Sequence, residues 1–112
     1  MSHTFTVAQL QAALASATPP LVLDVRRVAT FERATELIVN AVWRDPELVT
    51  SWSEGLDQAR PVVVYCVHGH QVSQDCARKL RDLGLEAAYL EGGIEAWTST
   101  GGNTAAKTGG ST

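Results

Sequence analysis

The feature that most constrains the fold of this 112-residue chain is the apolar run from Pro61 to Tyr65 (PVVVY), which stops at Cys66. A strand of only apolar residues, without alternating polar ones, has both faces covered, as is typical of parallel sheets between helices. A second short run, LVL at residues 21–23, leads into Asp24 in the same way. Parallel strands need long crossover connections, usually helices. The sequence therefore predicts an α/β fold with a mainly parallel sheet.

Helical and strand patterns alternate along the rest of the chain, as such a fold requires. The predicted helices cover residues 7–15 after a Thr6 cap, 29–35, about 46–52, 73–83 up to a Gly84 cap, and 94–97 onward. Further strands are predicted over 41–43 and 87–90. We expect one domain over residues 1–97. A flexible tail is expected over 98–112, where Gly, Thr, Ser and Ala dominate without periodicity.

Charge and composition exclude several classes of function. The net charge is −3, and acidic and basic residues are interleaved along the chain. The sequence has no basic block of the kind that binds nucleic acid. No apolar run approaches the roughly 20 residues of a membrane helix, and residues 1–10 lack the pattern of a secretory signal. We expect a cytoplasmic protein without a nucleic-acid or membrane partner. The two cysteines, Cys66 and Cys76, are too few for a disulfide framework, so the question is whether either thiol reacts.

Cys66 stands where an open α/β sheet binds its ligands. Such sites lie outside the carboxyl ends of the strands, next to helix N-termini. The loop between the strand and the predicted helix at Ser73 consists of Val67, His68, Gly69, His70, Gln71 and Val72. Gly69 permits a tight turn, and the N–H groups of the loop and the helix N-terminus favour an anion. The sequence therefore predicts a nucleophilic thiolate at Cys66.

Three segments of the chain resemble the single-domain rhodanese sulfurtransferases. They are Leu23-Asp24-Val25-Arg26, Cys66-Val67-His68-Gly69, and LEGGIEAW at residues 90–97. The resemblance implies a rhodanese-like three-layer fold with a five-stranded, mainly parallel sheet between helices. It also implies that Cys66 accepts sulfur as a persulfide and that residues 66–72 form an anion-binding loop. The implied donor is a small sulfur-containing anion such as thiosulfate, and the acceptor is cyanide or a thiol, a protein thiol included. No cofactor is implied.

Two positions depart from that family's pattern. The family often has a His-Ile-Pro-Gly-Ala stretch, where this chain has LIVNA at residues 37–41, and this affects the local turn. Many thiosulfate-using members carry Arg or Lys five residues after the cysteine, where this chain has Gln71. We therefore expect weaker thiosulfate use or another donor. His68 and His70 compensate in part, because imidazoles donate hydrogen bonds and charge near neutral pH.

Two other classes of function stay open at this point. Zinc or copper binding would use four side chains of suitable type: Cys66, His68, His70 and Cys76. A loop whose N–H groups converge on the sulfur turns its side chains outward, so we expect no metal. The other alternative is a non-catalytic interaction module, a kind of rhodanese-like domain that is also known. A phosphatase is disfavoured, because Val72 stands where an arginine would hold the phosphate.

Several neighbouring residues have structural rather than chemical interpretations. We expect Asp24 to accept backbone N–H bonds at the end of its strand and Arg26 to tie neighbouring loops together. Arg27 is interpreted as a solvated charge, and Trp97 as a residue that closes the core. Cys76 is predicted to pack in the core because it shares one helix face with Val72, Leu80 and Leu83.

Overall fold

The structure is a computed structural model that describes residues 3–107 of the chain. The strands are β1 (Thr4–Phe5), β2 (Leu21–Asp24), β3 (Glu36–Ile38), β4 (Val42–Trp43), β5 (Val62–Tyr65), β6 (Ala87–Leu90) and β7 (Thr104–Ala106). The α-helices are α1 (Val7–Leu14), α2 (Val28–Arg33), α3 (Val49–Trp52), α4 (Gln71–Asp82) and α5 (Gly93–Ser99). Short 3₁₀ turns at Pro46–Leu48 and Ser53–Gly55 flank α3.

The main sheet has five strands in the order β1-β6-β5-β2-β4. Every pairing in it is parallel, and β5 lies at the centre between β2 and β6. The predicted α/β class and the five-stranded parallel sheet are confirmed. Because parallel strands end at the same edge, the residues that follow β2 and β5 come together there.

Both faces of the sheet are covered, as the uninterrupted apolar strands predict. Val62 and Val64 of β5 pack on the side of α3 and α4, in a cluster that includes Leu80. Val63 and Tyr65 face the opposite side, with Leu10 of α1 and Trp97 of α5. The four β5 residues are all buried. Trp97, only 2% exposed, closes the second cluster as predicted.

Local capping signals mark the helix ends. The Thr6 hydroxyl accepts a hydrogen bond from the Gln9 N–H, and the Gln9 side chain accepts one from the Thr6 N–H, which is a capping box. At the end of α4, Gly84 has a φ of 93° and its N–H donates to the Arg81 carbonyl. Both predicted caps are confirmed. Leu83 was expected on the buried face of α4, but it is 43% exposed, because the helix ends at Asp82 and the chain turns away.

The C-terminal segment differs from the expected tail. Helix α5 continues to Ser99, and β7 pairs antiparallel with β3 in a second sheet. The Trp97 Nε1–H donates to the Asn103 carbonyl over 2.8 Å, which holds the connection against the core. A Gly/Thr/Ala segment without periodicity can still form a strand when a distant partner offers its backbone groups. Residues 108–112, the rest of the predicted tail, lie outside the described residues. In the part that is described, no helix is long and apolar enough to span a membrane.

Candidate active site

Cys66 lines a small cavity at the carboxyl edge of the main sheet. It follows β5 directly and is 7% exposed. The cavity measures about 240 Å³ and is lined by Arg26, Arg27, Thr30, Cys66, Val67, His68, His70, Gln71 and Val72. The structure thus brings the cysteine together with every predicted loop residue except Gly69. A volume below the roughly 300 Å³ of common ligand pockets suits a small ion or the tip of a longer molecule.

The Cys66 thiol has a buried hydroxyl as its partner. Its Sγ lies 3.2 Å from the Oγ of Ser73, and Ser73 is fully buried in the first turn of α4. The same hydroxyl lies 3.4 Å from the His70 carbonyl oxygen, to which it donates. When the thiol loses its proton, rotation of the Ser73 hydroxyl lets it donate to the sulfur instead. Sequence reasoning missed Ser73, although a polar residue on the buried face of a helix, seven positions before Leu80, is a signal for such a role.

Gly69 and Gly93 fix the shape of the loop. Gly69 is buried with a φ of 73°, and a Cβ there would lie 2.7 Å from the Leu90 carbonyl oxygen. Gly93 meets the Cys66 and Val67 carbonyl oxygens so closely that a Cβ would overlap them. The N–H groups of the next two residues of α5 donate to those carbonyls, over 3.0 and 3.1 Å. Gly93 of the LEGGIEAW segment therefore lets α5 dock against the start of the loop.

The polar side chains of the loop lie at the cavity wall and towards solvent. His68 and His70 are exposed, and their ring centroids are 5.7 Å apart. His68 Nδ1 lies 3.1 Å from a carboxylate oxygen of Glu95 in α5. Gln71 donates from Nε2 to Asp75 over 2.8 Å. The loop thus contributes imidazole and amide groups to the cavity, with no lysine or arginine among residues 67–72.

Asp24 and Arg26 form a buried ion pair beside the cavity. The Arg26 guanidinium lies 2.6 Å from an Asp24 oxygen, with side-chain exposures of 6% and 0%. The same guanidinium donates to the Glu36 carbonyl, and the Tyr65 hydroxyl donates to Asp24. Burial alone would lower the pKa of Arg26, but the hydrogen bond and negative charge of Asp24 outweigh it, so the pKa is raised. The charge of Arg26 is therefore balanced by Asp24, and the contacts of the pair hold the ends of β2, β3 and β5 together.

Cys76 has a different environment from Cys66. It is 3% exposed and belongs to the core cluster between α4 and the sheet. Burial raises the pKa of the Cys76 thiol from its ordinary value of 9.0 to about 12, and the positive charge of Lys79 opposes this only in part. The predicted core role of Cys76 is confirmed, and a thiol of this kind does not react near neutral pH.

A model of the rhodanese-like domain matches residues 6–100 of this sequence. The chain belongs to the rhodanese-like domain family. The resemblance seen in the sequence is thereby confirmed, and with it sulfur transfer as the family-level activity.

Named relatives and solved structures agree with this assignment. The rhodanese-like chain is 37% identical over 78 residues to the thiosulfate sulfurtransferase GlpE of Coxiella burnetii (strain RSA 331 / Henzerling II), covering 69% of this chain and 70% of that protein. A rhodanese-related protein of Thermoplasma volcanium superposes with a TM-score of 0.78 at 24% identity, covering 92% and 97% of the two chains. A rhodanese-like domain protein of Staphylococcus aureus gives 0.77 at 24% identity, with the same coverage. These two structures confirm the fold.

The rhodanese-like site does not provide what a metal centre needs. Among residues 3–107, no cluster of three or more His, Cys, Asp or Glu side chains is arranged to hold a metal ion. Cys76 faces the core and the two histidines face solvent, so the four donors considered from the sequence do not form a ligand set. The metal-binding alternative therefore has no support in the geometry.

Proposed function

We propose that this rhodanese-like domain is a sulfurtransferase that carries sulfur as a persulfide on Cys66. The observation that carries the proposal is the position of this thiol. It lines a small cavity at the carboxyl edge of the sheet, beside the first turn of α4, with the Ser73 hydroxyl 3.2 Å from the sulfur. The similarity to a protein named thiosulfate sulfurtransferase supports the same chemistry.

The proposed reaction has two balanced steps. The Cys66 thiolate attacks the outer sulfur of thiosulfate, the bond between the two sulfurs of the donor breaks, and sulfite leaves with the electron pair of that bond. The cysteine then carries a persulfide anion. Cyanide or a thiolate attacks the outer sulfur of this persulfide and releases the Cys66 thiolate. Each step moves one sulfur atom without net oxidation or reduction by a third reagent, so no cofactor is needed.

The residues around the sulfur have separate tasks in this scheme. The Ser73 hydroxyl donates a hydrogen bond to the thiolate, which stabilises the attacking form. The loop amides and the imidazoles of His68 and His70 bind the anionic part of the donor. The proposed donor is a small sulfur-containing anion, and the proposed acceptor is cyanide or a thiol, including one on another protein.

The mass of the intact protein tests this function. After incubation with thiosulfate, wild-type protein is expected to gain one sulfur, about 32 Da, which a thiol reductant removes. Cys66→Ser should show no gain, whereas Cys76→Ala should behave as wild type. One sulfite should be released for each sulfur gained. A gain that persists in Cys66→Ser would place the chemistry elsewhere.

A non-catalytic interaction module is the second candidate, and the lack of lysine and arginine in residues 67–72 favours it. The two functions differ in the reactivity of the thiol. A sulfurtransferase cysteine should react with iodoacetamide at neutral pH, much faster than an ordinary thiol at the same pH. No mass gain with thiosulfate, with polysulfide or with organic persulfides, together with an unreactive Cys66, would establish the module instead.

A further inference from the structure

The cavity beside Cys66 is lined by one arginine whose charge is not already used. Arg26 and Arg27 both line it, but Arg26 is neutralised by its ion pair with Asp24. Arg27 is exposed, and within residues 3–107 no carboxylate lies at ion-pair distance from its guanidinium. The sequence alone presented Arg27 as a solvated charge. The structure instead places Arg27 in the wall of the cavity that Cys66 also lines.

Backbone and neighbouring contacts fix the main chain at Arg27. Arg27 immediately precedes α2 with an extended conformation, φ −63° and ψ 155°, and its carbonyl accepts a hydrogen bond from the Phe31 N–H over 2.8 Å. The preceding residue, Arg26, is buried and tied to Asp24. Thr30, one helical turn later, lines the same cavity. Arg27 and Thr30 therefore contribute a cation and a hydroxyl to the cavity that the 67–72 loop also lines.

Nearby charges do not cancel this cation. A second depression shares Arg27 and Val72 with the cavity and is also lined by Glu47, Asp75 and Lys79. The Asp75 carboxylate already accepts hydrogen bonds from Gln71 and Arg78. Glu47 and Lys79 have opposite charges, so together they contribute little net potential to the cavity. Among the residues that line the cavity, Arg27 is therefore the arginine whose charge is available to a small anion, since Arg26 is paired with Asp24 and His68 lies beside Glu95.

We propose that Arg27 is a further anion-binding residue of this site, which adds a fixed positive charge to the loop amides and imidazoles. Its guanidinium binds the negatively charged end of the sulfur donor and selects anions over neutral molecules at Cys66, a task for which the 67–72 loop has no lysine or arginine. A planar guanidinium is suited to oxyanions because it donates two parallel hydrogen bonds. The identity of the anion as a sulfur donor rests on the proposed function, whereas the charge selection at Cys66 does not.

Two alkylating reagents of similar size and different charge test this selection. Iodoacetate and iodoacetamide are reacted with a Cys76→Ala protein, in which Cys66 is the one remaining thiol. Both reagents are compared at the same pH, about 8.5, and at the same ionic strength. In Arg27→Gln the ratio of the iodoacetate to the iodoacetamide rate constant is expected to fall about three- to tenfold. Arg27→Lys, which keeps the charge, should retain most of the ratio.

Arg60→Gln is the matched control, because it removes the same charge from an exposed residue that precedes β5, whereas Arg27 follows β2 at the carboxyl edge of the sheet. Six residues of extended chain, about 20 Å, separate Arg60 from Cys66, which exceeds the screening length of about 10 Å at 0.1 M salt. An unchanged ratio in Arg27→Gln, or an equal fall in Arg60→Gln, would overturn the proposal. Circular dichroism and thermal unfolding should show that both variants fold as the parent does.

Thiosulfate kinetics then connect the charge selection with sulfur transfer. In Arg27→Gln the KM for thiosulfate is expected to rise about five- to twentyfold with little change in kcat, since a binding charge is lost and the nucleophile remains. A fall in kcat with an unchanged KM would contradict a binding role. If the parent protein gains no sulfur at all, the proposed function fails while the alkylation ratio still reports on Arg27. The two failures are therefore distinguishable.

Discussion

The two cysteines differ little in exposure and greatly in surroundings. Cys66 is 7% exposed and precedes α4, whereas Cys76 is 3% exposed and lies within α4. Cys66 borders a cavity and has the Ser73 hydroxyl as a partner. Cys76 packs among aliphatic side chains, where burial raises the pKa of its thiol to about 12. The exposed fraction of the thiol therefore does not distinguish the proposed nucleophile from the packing residue, whereas the adjoining cavity and the hydrogen-bond partner of Cys66 do.

Replacing each of the two cysteines in turn tests this contrast most directly. Cys66→Ser is expected to lower the rate of thiocyanate formation from thiosulfate and cyanide by at least about a thousandfold, because a serine hydroxyl is not ionised at neutral pH. Cys76→Ala should keep activity within about twofold per folded molecule, since the lost contacts affect packing alone. Equal losses in the two variants would mean that the environments do not divide the roles as described.

Disturbing the docking of α5 should affect one thiol and leave the other unchanged. Gly93→Ala places a Cβ against the carbonyl oxygens of Cys66 and Val67, at a φ of 61°. We expect the free energy of unfolding, measured with urea, to fall by about 2–3 kcal/mol. The iodoacetamide reactivity of Cys66 should change, while Cys76 should stay protected at pH near 7.

Gly55→Ala is the control for the glycine substitution. A Cβ at Gly55 meets no atom within 4 Å, and its φ lies outside the left-handed region. Its unfolding free energy is expected to stay within about 0.5 kcal/mol of wild type. Equal stabilities of the two alanine variants would show that the close approach of α5 to the loop is not needed.

The hydroxyl partner gives a smaller effect at Cys66. Ser73→Ala removes the hydrogen bond to the thiolate, for which about 1.5 kcal/mol is typical of a charged acceptor. The rate of Cys66 alkylation by iodoacetamide near pH 7 should fall about tenfold. At high pH the alkylation rates of wild type and Ser73→Ala should become equal, because the thiol then ionises without the hydrogen bond from Ser73. Ser53→Ala is the matched control, because this buried serine donates to the Thr50 carbonyl and lies away from the cavity. Parallel losses in both serine variants would point to general destabilisation.

The parts of the fold that depend on neighbouring residues could be predicted from the sequence. The central strands followed from their apolar runs, and the ends of α1 and α4 followed from Thr6 and Gly84. Pairings between distant segments could not be predicted in this way. The antiparallel pair of β3 and β7 joins residues about 68 positions apart. The sequence of neither segment indicates which strand it pairs with. For this reason the sequence did not reveal the strand Thr104–Ala106, which lies in the segment expected to be a flexible tail.

The site shows the same division. Cys66 and its loop could be predicted because a strand end followed by a helix start is a local pattern with a known geometry. Ser73 carried only the signal of a polar residue on a buried helix face and Arg27 carried none, because their positions beside Cys66 depend on which side chains of other elements face the cavity. Leu83 misled the helix-face prediction, since one residue beyond the helix end the periodicity no longer applies. Cys76, within the helix, followed that periodicity.

The smallest expected effect is the contribution of Cys76 to the pH dependence of the free energy of unfolding. Between about pH 9 and 11 the folded protein keeps the proton on Cys76, because burial raises its pKa to about 12, while the unfolded chain releases it. The unfolded state then binds fewer protons, so stability falls as pH rises through this window, by up to about 1.4 kcal/mol per pH unit. Urea unfolding of Cys66→Ser should show this slope, and the Cys66→Ser/Cys76→Ala double variant should be shallower by about 1 kcal/mol per unit. Parallel curves would mean that Cys76 ionises in the folded protein as readily as in the unfolded chain, and the contrast between the two thiols would then rest on the cavity alone.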